Sequence, residues 1–126
     1  LLVCTADWGE GASHAAGEEG QGAASATGDA TWIHTMFDTA NWTAAGGDFS
    51  ATASASTPVN PVGFYSWSSN EMIADVQSWL DTPAANFGWL VMGTETGTST
   101  AKRFDTKENA DQNNHPKLEV TFVPAP

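Results

Sequence analysis

Leu118, Val120 and Phe122 alternate with Lys117, Glu119 and Thr121 near the end of the sequence. Strict alternation is the signature of a strand with one buried and one wet face. A chain with this pattern must build a sheet. Asn86 to Glu95 reads as the strand before it, and the segment from Arg103 to Glu108 as the polar loop between them. That loop region holds Lys102 and Arg103, framed by Glu95, Asp105 and Glu108. A scarce cation among acids predicts a structural ion pair, Arg103 with Glu108.

Other strand candidates precede these two. Leu1 to Thr5 is a short apolar run, and Thr31 to Phe37 alternates weakly. Phe49 opens a small-residue strand in which Ala51, Ala53 and Ala55 alternate with Thr52, Ser54 and Ser56, until Pro58 and Pro61 end it. Gly63 to Ser68 is a further candidate. Ala12 to Ala30, rich in Gly, Ala, Ser and Glu, has no hydrophobic period and reads as a long loop. The one good helix follows Ser69-Asn70-Glu71, a capping signal with an acid in the first turn. Met72, Ile73, Val76, Trp79 and Leu80 form its apolar stripe, Asp75, Gln77 and Ser78 are expected to face away, and Pro83 stops it. Short strands about ten residues apart, punctuated by Gly and Pro, suggest a mainly β fold. The expectation is a jelly-roll-like β-sandwich with one short α-helix, formed as a single domain over residues 1–126.

Charge narrows the partners. Four basic residues against fifteen acidic ones give a formal net charge of −11, which repels nucleic acids, anionic lipid surfaces and strongly anionic polysaccharides. A neutral polysaccharide fits better. No apolar run approaches the roughly 20 residues that span a bilayer, so membrane insertion is not expected. Cys4 is the one cysteine. It lies in an apolar run without a His or cation beside it, and reads as a small buried hydrophobe. Abundant Ala, Thr, Gly and Ser with few Lys and Arg point to an extracellular or cell-surface protein.

No enzyme motif is present: no Gly-x-Ser-x-Gly elbow, no phosphate-binding loop and no His-Glu-x-x-His pair. His14, His34 and His115 are scattered and expected at the surface. Asp7 and Glu10 flank Trp8-Gly9, and Asp105 and Glu108 flank Thr106-Lys107, so two loops offer carboxylates to a structural calcium ion, though without the spacing of an EF-hand. The six Trp are the strongest hint of binding, because an indole face stacks on the apolar face of a sugar while its N–H reaches a hydroxyl. Trp8, Trp79 and Trp89 read as structural. Trp32, Trp42, Tyr65 and Trp67, in a turn or on short strands, are the candidates for carbohydrate binding.

Seven blocks in order carry a family likeness: Asp7-Trp8-Gly9-Glu10-Gly11, Gly28-Asp29-Ala30-Thr31-Trp32, Trp42 with Gly46-Gly47-Asp48-Phe49, Trp79-Leu80, Pro83 with Asn86-Phe87-Gly88-Trp89-Leu90, Arg103-Phe104 with Lys107-Glu108, and Pro116 with Leu118-Glu119-Val120. Together they resemble the DNRLRE domains, grouped with the disaggregatase-related, family 96 type carbohydrate-binding modules. The resemblance implies an extracellular β-sandwich attached to large secreted bacterial or archaeal proteins, often beside polysaccharide-degrading domains. Two departures stand out. Thr106-Lys107-Glu108 replaces a common Ser-Arg-Glu, which turns a bidentate pair into a point-charge pair. The chain also reads as the C-terminal portion of the family unit, starting six residues before an Asp-Trp-Gly-Glu-Gly block that several strands usually precede. The resulting expectation is a non-catalytic carbohydrate-binding module. The alternative is a structural subunit of a surface layer or filament, in which strands pair between copies or a partner supplies the missing ones.

Overall fold

Leu1 to Thr5 becomes the centre of the larger sheet. In the computed structural model, which describes residues 1–15, 22–94 and 96–124, strand β1 (Leu2–Cys4) is paired on both sides. Strands β2 (His34–Met36), β3 (Ala40–Asn41), β4 (Phe49–Ala53) and β5 (Trp89–Leu90) follow in chain order, with helix α1 (Asn70–Asp81) between β4 and β5. The first sheet has the order β4-β1-β5 and is antiparallel throughout, with Leu2 opposite Ala53 and Leu90, Val3 opposite Trp89, and Cys4 opposite Phe49. Backbone bonds from Cys4 N to Gly88 O and from Thr5 N to Asp48 O, both 2.9 Å, extend this ladder beyond the strands. Cys4 is buried, as its apolar setting predicts, with Sγ directed at the carbonyls of Ala6 and Asp48.

The second sheet is the hairpin β2-β3, turned by Phe37-Asp38-Thr39. Asp38 takes the left-handed conformation (φ 63°) that a short polar side chain tolerates. β3 falls where the sequence carries turn signals, and the sequence does not announce it.

α1 forms where its signals place it. The Ser69 hydroxyl accepts from Met72 N at 2.9 Å as N-cap, and Thr82 N closes the other end on Ser78 O at 2.8 Å. Pro83 then starts a 3₁₀ turn, Pro83–Ala85. The face it turns inward differs from the expected one. Met72, Asp75, Val76 and Trp79 are half-buried, whereas Ile73 and Leu80 are each 69 % exposed. Helical periodicity places Asp75 on the outer face. It turns inward because the Trp89 indole N–H supplies a partner for its carboxylate, Oδ2 at 2.8 Å, and a half-buried charge that is hydrogen-bonded is tolerated.

Two expected strands do not form. Over Gly63 to Ser68 the backbone is irregular. Its polar groups are met by side chains instead: Tyr65 Oη accepts from Asn60 N at 3.1 Å and donates to Pro61 O at 2.6 Å, while Thr57 Oγ1 donates to Ser66 O at 2.8 Å. Such local bonds compete with a ladder. The run Lys117 to Val123 has the alternation of a strand but pairs with no strand among the described residues, and Leu118, Val120 and Phe122 are exposed. Alternation sets which face would be buried; it cannot supply the ladder partner a strand requires.

The chain divides into two compact units, Leu1–Met92 and Gly93–Pro126. All the strands and α1 belong to the first. The second is built from turns and a 3₁₀ turn, Gln112–Asn114. The architecture is thus two small antiparallel sheets and one helix. No helix among the described residues is long and apolar enough to cross a membrane. Residues 16–21 of the expected Ala12 to Ala30 loop, and Glu95 at the end of the Asn86 strand candidate, lie outside the described residues.

A tryptophan-lined cleft as candidate functional site

The site begins with a polar scaffold. Asp29, only 4 % exposed, gathers the loop on both sides of it: Oδ1 accepts from Ala12 N at 3.0 Å and Ser13 N at 3.3 Å, and Oδ2 from Ala26 N at 2.6 Å. The Ser13 hydroxyl and then the Ala26 N–H hold its carboxyl below the ordinary carboxylate value, since each bond favours the charged form. Next to it, Gly9 N donates to Thr35 O, Ala30 N to Gly9 O, Phe37 N to Asp29 O and Gly28 N to Phe37 O. These bonds tie Asp7-Trp8-Gly9-Glu10-Gly11 to the β2-β3 hairpin. They also explain its glycines. A Cβ on Gly9 would strike the Gly28 carbonyl oxygen, and one on Gly11, at φ +70°, would strike the Asp29 carboxylate.

On this scaffold stand four indoles. Trp8, Trp32, Trp42 and Trp89 line one cleft of about 370 Å³ together with Cys4, Leu90 and short residues of the neighbouring loops. Each ring is fixed by its own contacts. Trp8 Nε1 donates to Phe87 O at 2.8 Å, Trp42 Nε1 to Thr31 O at 2.8 Å, and Trp89 Nε1 to Asp75. Trp79 of α1 packs on Trp89 with ring centroids 4.4 Å apart, tilted by 59°, a spacing typical of favourable aromatic pairs. Trp32 is 62 % exposed. Its six-membered ring lies against Gly46, where an added Cβ would come within 3.0 Å of it. The loop carrying Trp42 and Gly46 is closed by Asp48, whose carboxylate accepts from Thr43 N at 2.9 and 3.1 Å. That bond is the main cause of the lowered pKa of Asp48.

The polar side chains around the cleft are almost all engaged within the protein. Thr31 Oγ1 sits 2.9 Å from His34 Nδ1 and accepts from His34 N and Ile33 N, and Cys4 Sγ is directed at backbone carbonyls. Among the described residues, the Trp32 indole N–H is the lining side-chain donor without an intramolecular acceptor. What remains open to a ligand is mostly apolar, and four of the nine lining residues are Trp. The field is one-sided as well: all four Lys and Arg fall within Gly93–Pro126, so residues 1–92 carry ten of the fifteen acids and neither basic residue type.

Of the four aromatics picked from sequence, the structure brings Trp32 and Trp42 together and leaves Tyr65 and Trp67 off the cleft wall. Tyr65 has its hydroxyl tied to the Pro58–Pro61 turn region. Trp8 and Trp89, read as structural, are both structural and lining. No local signal marks them, since the bonds that place them, Trp8 Nε1 to Phe87 O and Trp89 Nε1 to Asp75, join residues far apart in sequence.

In the second unit Glu108, expected to pair with Arg103, also has neighbours of its own. Glu108 is held by Lys107 Nζ at 2.7 Å and Thr106 Oγ1 at 2.8 Å, which lowers its pKa to about 2, the Lys107 bond first among the causes. Two histidines are partly buried with local partners rather than free on the surface: His34 packs edge-on against Phe37 at 5.1 Å, and His115 Nε2 lies 2.7 Å from Asn109 O. For calcium, the expected Asp7 takes up its neighbour, Oδ1 accepting from Trp8 N at 3.0 Å, and no group of three His, Cys, Asp or Glu converges among the described residues. Comparison with protein-family models, with characterised proteins and with solved structures returned no match to this chain.

Proposed function

We propose that the chain is a non-catalytic carbohydrate-binding module of an extracellular or cell-surface protein, with a jelly-roll-like β-sandwich fold. The observation that carries this reading is the convergence of Trp8, Trp32, Trp42 and Trp89 on one cleft. Fixed indole faces bind the C–H face of a sugar ring without ordering flexible side chains, so little entropy is lost on binding. The Trp32 N–H serves a ring hydroxyl. The deficit of basic groups disfavours uronate or sulfate chains and leaves neutral polysaccharide as the ligand backbone. The ordered likeness to the DNRLRE blocks supports the same assignment. Calorimetric titration with a panel of neutral oligosaccharides tests it: at least one should bind, and Trp32→Ala and Trp42→Ala should each weaken it by about tenfold or more. Binding unchanged in both variants sinks this reading.

A second reading is favoured by the exposed, strand-patterned Leu118, Val120 and Phe122. As a structural subunit of a layer or filament, the chain would pair that run with another copy or with a partner's strand. Light scattering and electron microscopy, with and without a calcium chelator, separate the two: ordered polymers support the subunit, a compact monomer the binding module.

A further inference from the structure

We infer that the group seated inside the tryptophan cleft is an N-methylated, quaternary ammonium, carried as a substituent on the module's ligand. This rests on the reading that the cleft is the binding site and adds what enters it.

Hydrogen bonding argues first. A sugar ring brings hydroxyls around its edge, and every hydroxyl desolvated without a partner is costly. The cleft offers them one unengaged side-chain donor, Trp32 Nε1. Trp8, Trp42 and Trp89 have their N–H groups committed to Phe87 O, Thr31 O and the Asp75 carboxylate, and the Thr31 hydroxyl is committed to His34. A trimethylammonium head has neither donor nor acceptor to satisfy. It loses nothing on leaving water that this cleft fails to replace except its charge solvation.

Electrostatics replaces that. The face of an indole carries the negative side of the ring quadrupole and attracts a cation placed over it, Trp most strongly of the aromatic residues. Donation from Nε1 pushes electron density back into the ring, and the Trp89 bond to a carboxylate does so most. No Lys or Arg within residues 1–92 competes for these faces. The ten acids of the same unit set a negative potential that draws a cation and repels an anion. A primary ammonium is disfavoured by the same logic, because its three N–H donors need acceptors and the lining side-chain hydroxyl, that of Thr31, is committed to His34.

The test is calorimetric titration of the intact chain with choline, with the neutral isostere in which carbon replaces the choline nitrogen, with ethanolamine, and with a neutral oligosaccharide. Choline should bind at least about tenfold more tightly than its carbon isostere and than ethanolamine. Trp32→Ala should weaken choline binding by a similar factor, while Trp67→Ala leaves it unchanged. Equal affinity for choline and its isostere would show a merely apolar cleft, equal affinity for ethanolamine a mere response to charge, and either result overturns the inference, as does failure of choline to bind. The oligosaccharide arm is read separately: if it binds and choline does not, the module reading stands and this inference fails; if choline alone binds, the inference stands and the glycan assignment fails.

Discussion

The units Leu1–Met92 and Gly93–Pro126 use hydrogen bonds in opposite ways. In the first, partners lie far apart in sequence: Trp8 reaches Phe87, Cys4 reaches Gly88, Ser54 reaches Leu1 and Asp29 reaches Ala12. In the second, the described bonds are short-range, with Asn109 on Thr106, Asn114 on Asp111, His115 on Gln112 and on Asn109. The difference teaches where tertiary information resides. Long-range bonds fix the relative positions of loops, and only such a frame can hold four indoles around a common space. Turn chemistry fixes each turn by itself.

The contrast can be broken most severely at Gly9. Gly9→Ala puts a methyl into the Gly28 carbonyl and should destabilise the first unit by about 3 kcal/mol, the upper range for overpacking, seen as lost thermal cooperativity. In the turn-built unit Asn109→Ala, which forfeits the Asp111 N bond to Asn109 Oδ1 at 2.8 Å, should cost about 1 kcal/mol or less. Trp89→Phe comes next. It leaves the half-buried Asp75 carboxylate without its indole donor and should cost about 1–3 kcal/mol, with Asp75→Asn as the milder partner variant in a double-mutant cycle. Ser69→Ala removes the cap of α1 together with the Ser69 bond to Ser54 O, for about 1 kcal/mol in chemical denaturation.

Acid gives the smallest and most local comparison. Glu108 has an ordinary value of 4.5 and a folded one of about 2. Its stabilising contribution is complete above pH 4.5 and is lost as pH falls through about 2. Asp29 and Asp48 are shifted in the same direction, so theirs also fade on acidification below the ordinary carboxylate range. Carboxyl carbon shifts followed by NMR should show Lys107→Ala raising the Glu108 midpoint towards 4.5 while leaving Asp29 alone. A Glu108 midpoint that ignores Lys107 would contradict the pairing seen here.

Sequence and structure agree where a signal is local. Ser69 caps, Pro83 stops, and α1 runs between them; the apolar setting of Cys4 predicts its burial. They part where a residue's role depends on a partner far along the chain. Asp29 lies in a stretch of small polar residues with no period, and nothing in that stretch announces an acceptor for three backbone N–H groups. Asp75 occupies a helix position that periodicity assigns to solvent, and it turns inward because Trp89, fourteen residues away, supplies a donor. Trp32 and Trp42 were legible as candidates from their turn settings, but aromatic chemistry alone could not separate them from Tyr65 and Trp67, nor bring in Trp8 and Trp89. Leu118 to Phe122 shows the converse case, a clear period without a ladder among the described residues.

The central claim is that Trp8, Trp32, Trp42 and Trp89 form one binding site from which Trp67 is excluded. The indole N–H resonances of the six Trp, assigned by single Trp→Phe variants and followed by NMR during titration with choline and then with a neutral oligosaccharide, test it directly. The account predicts saturable shifts at Trp8, Trp32, Trp42 and Trp89 with one common midpoint, and a Trp67 signal that stays in place. Shifts centred on Trp67, or different midpoints among the four cleft residues, would contradict it.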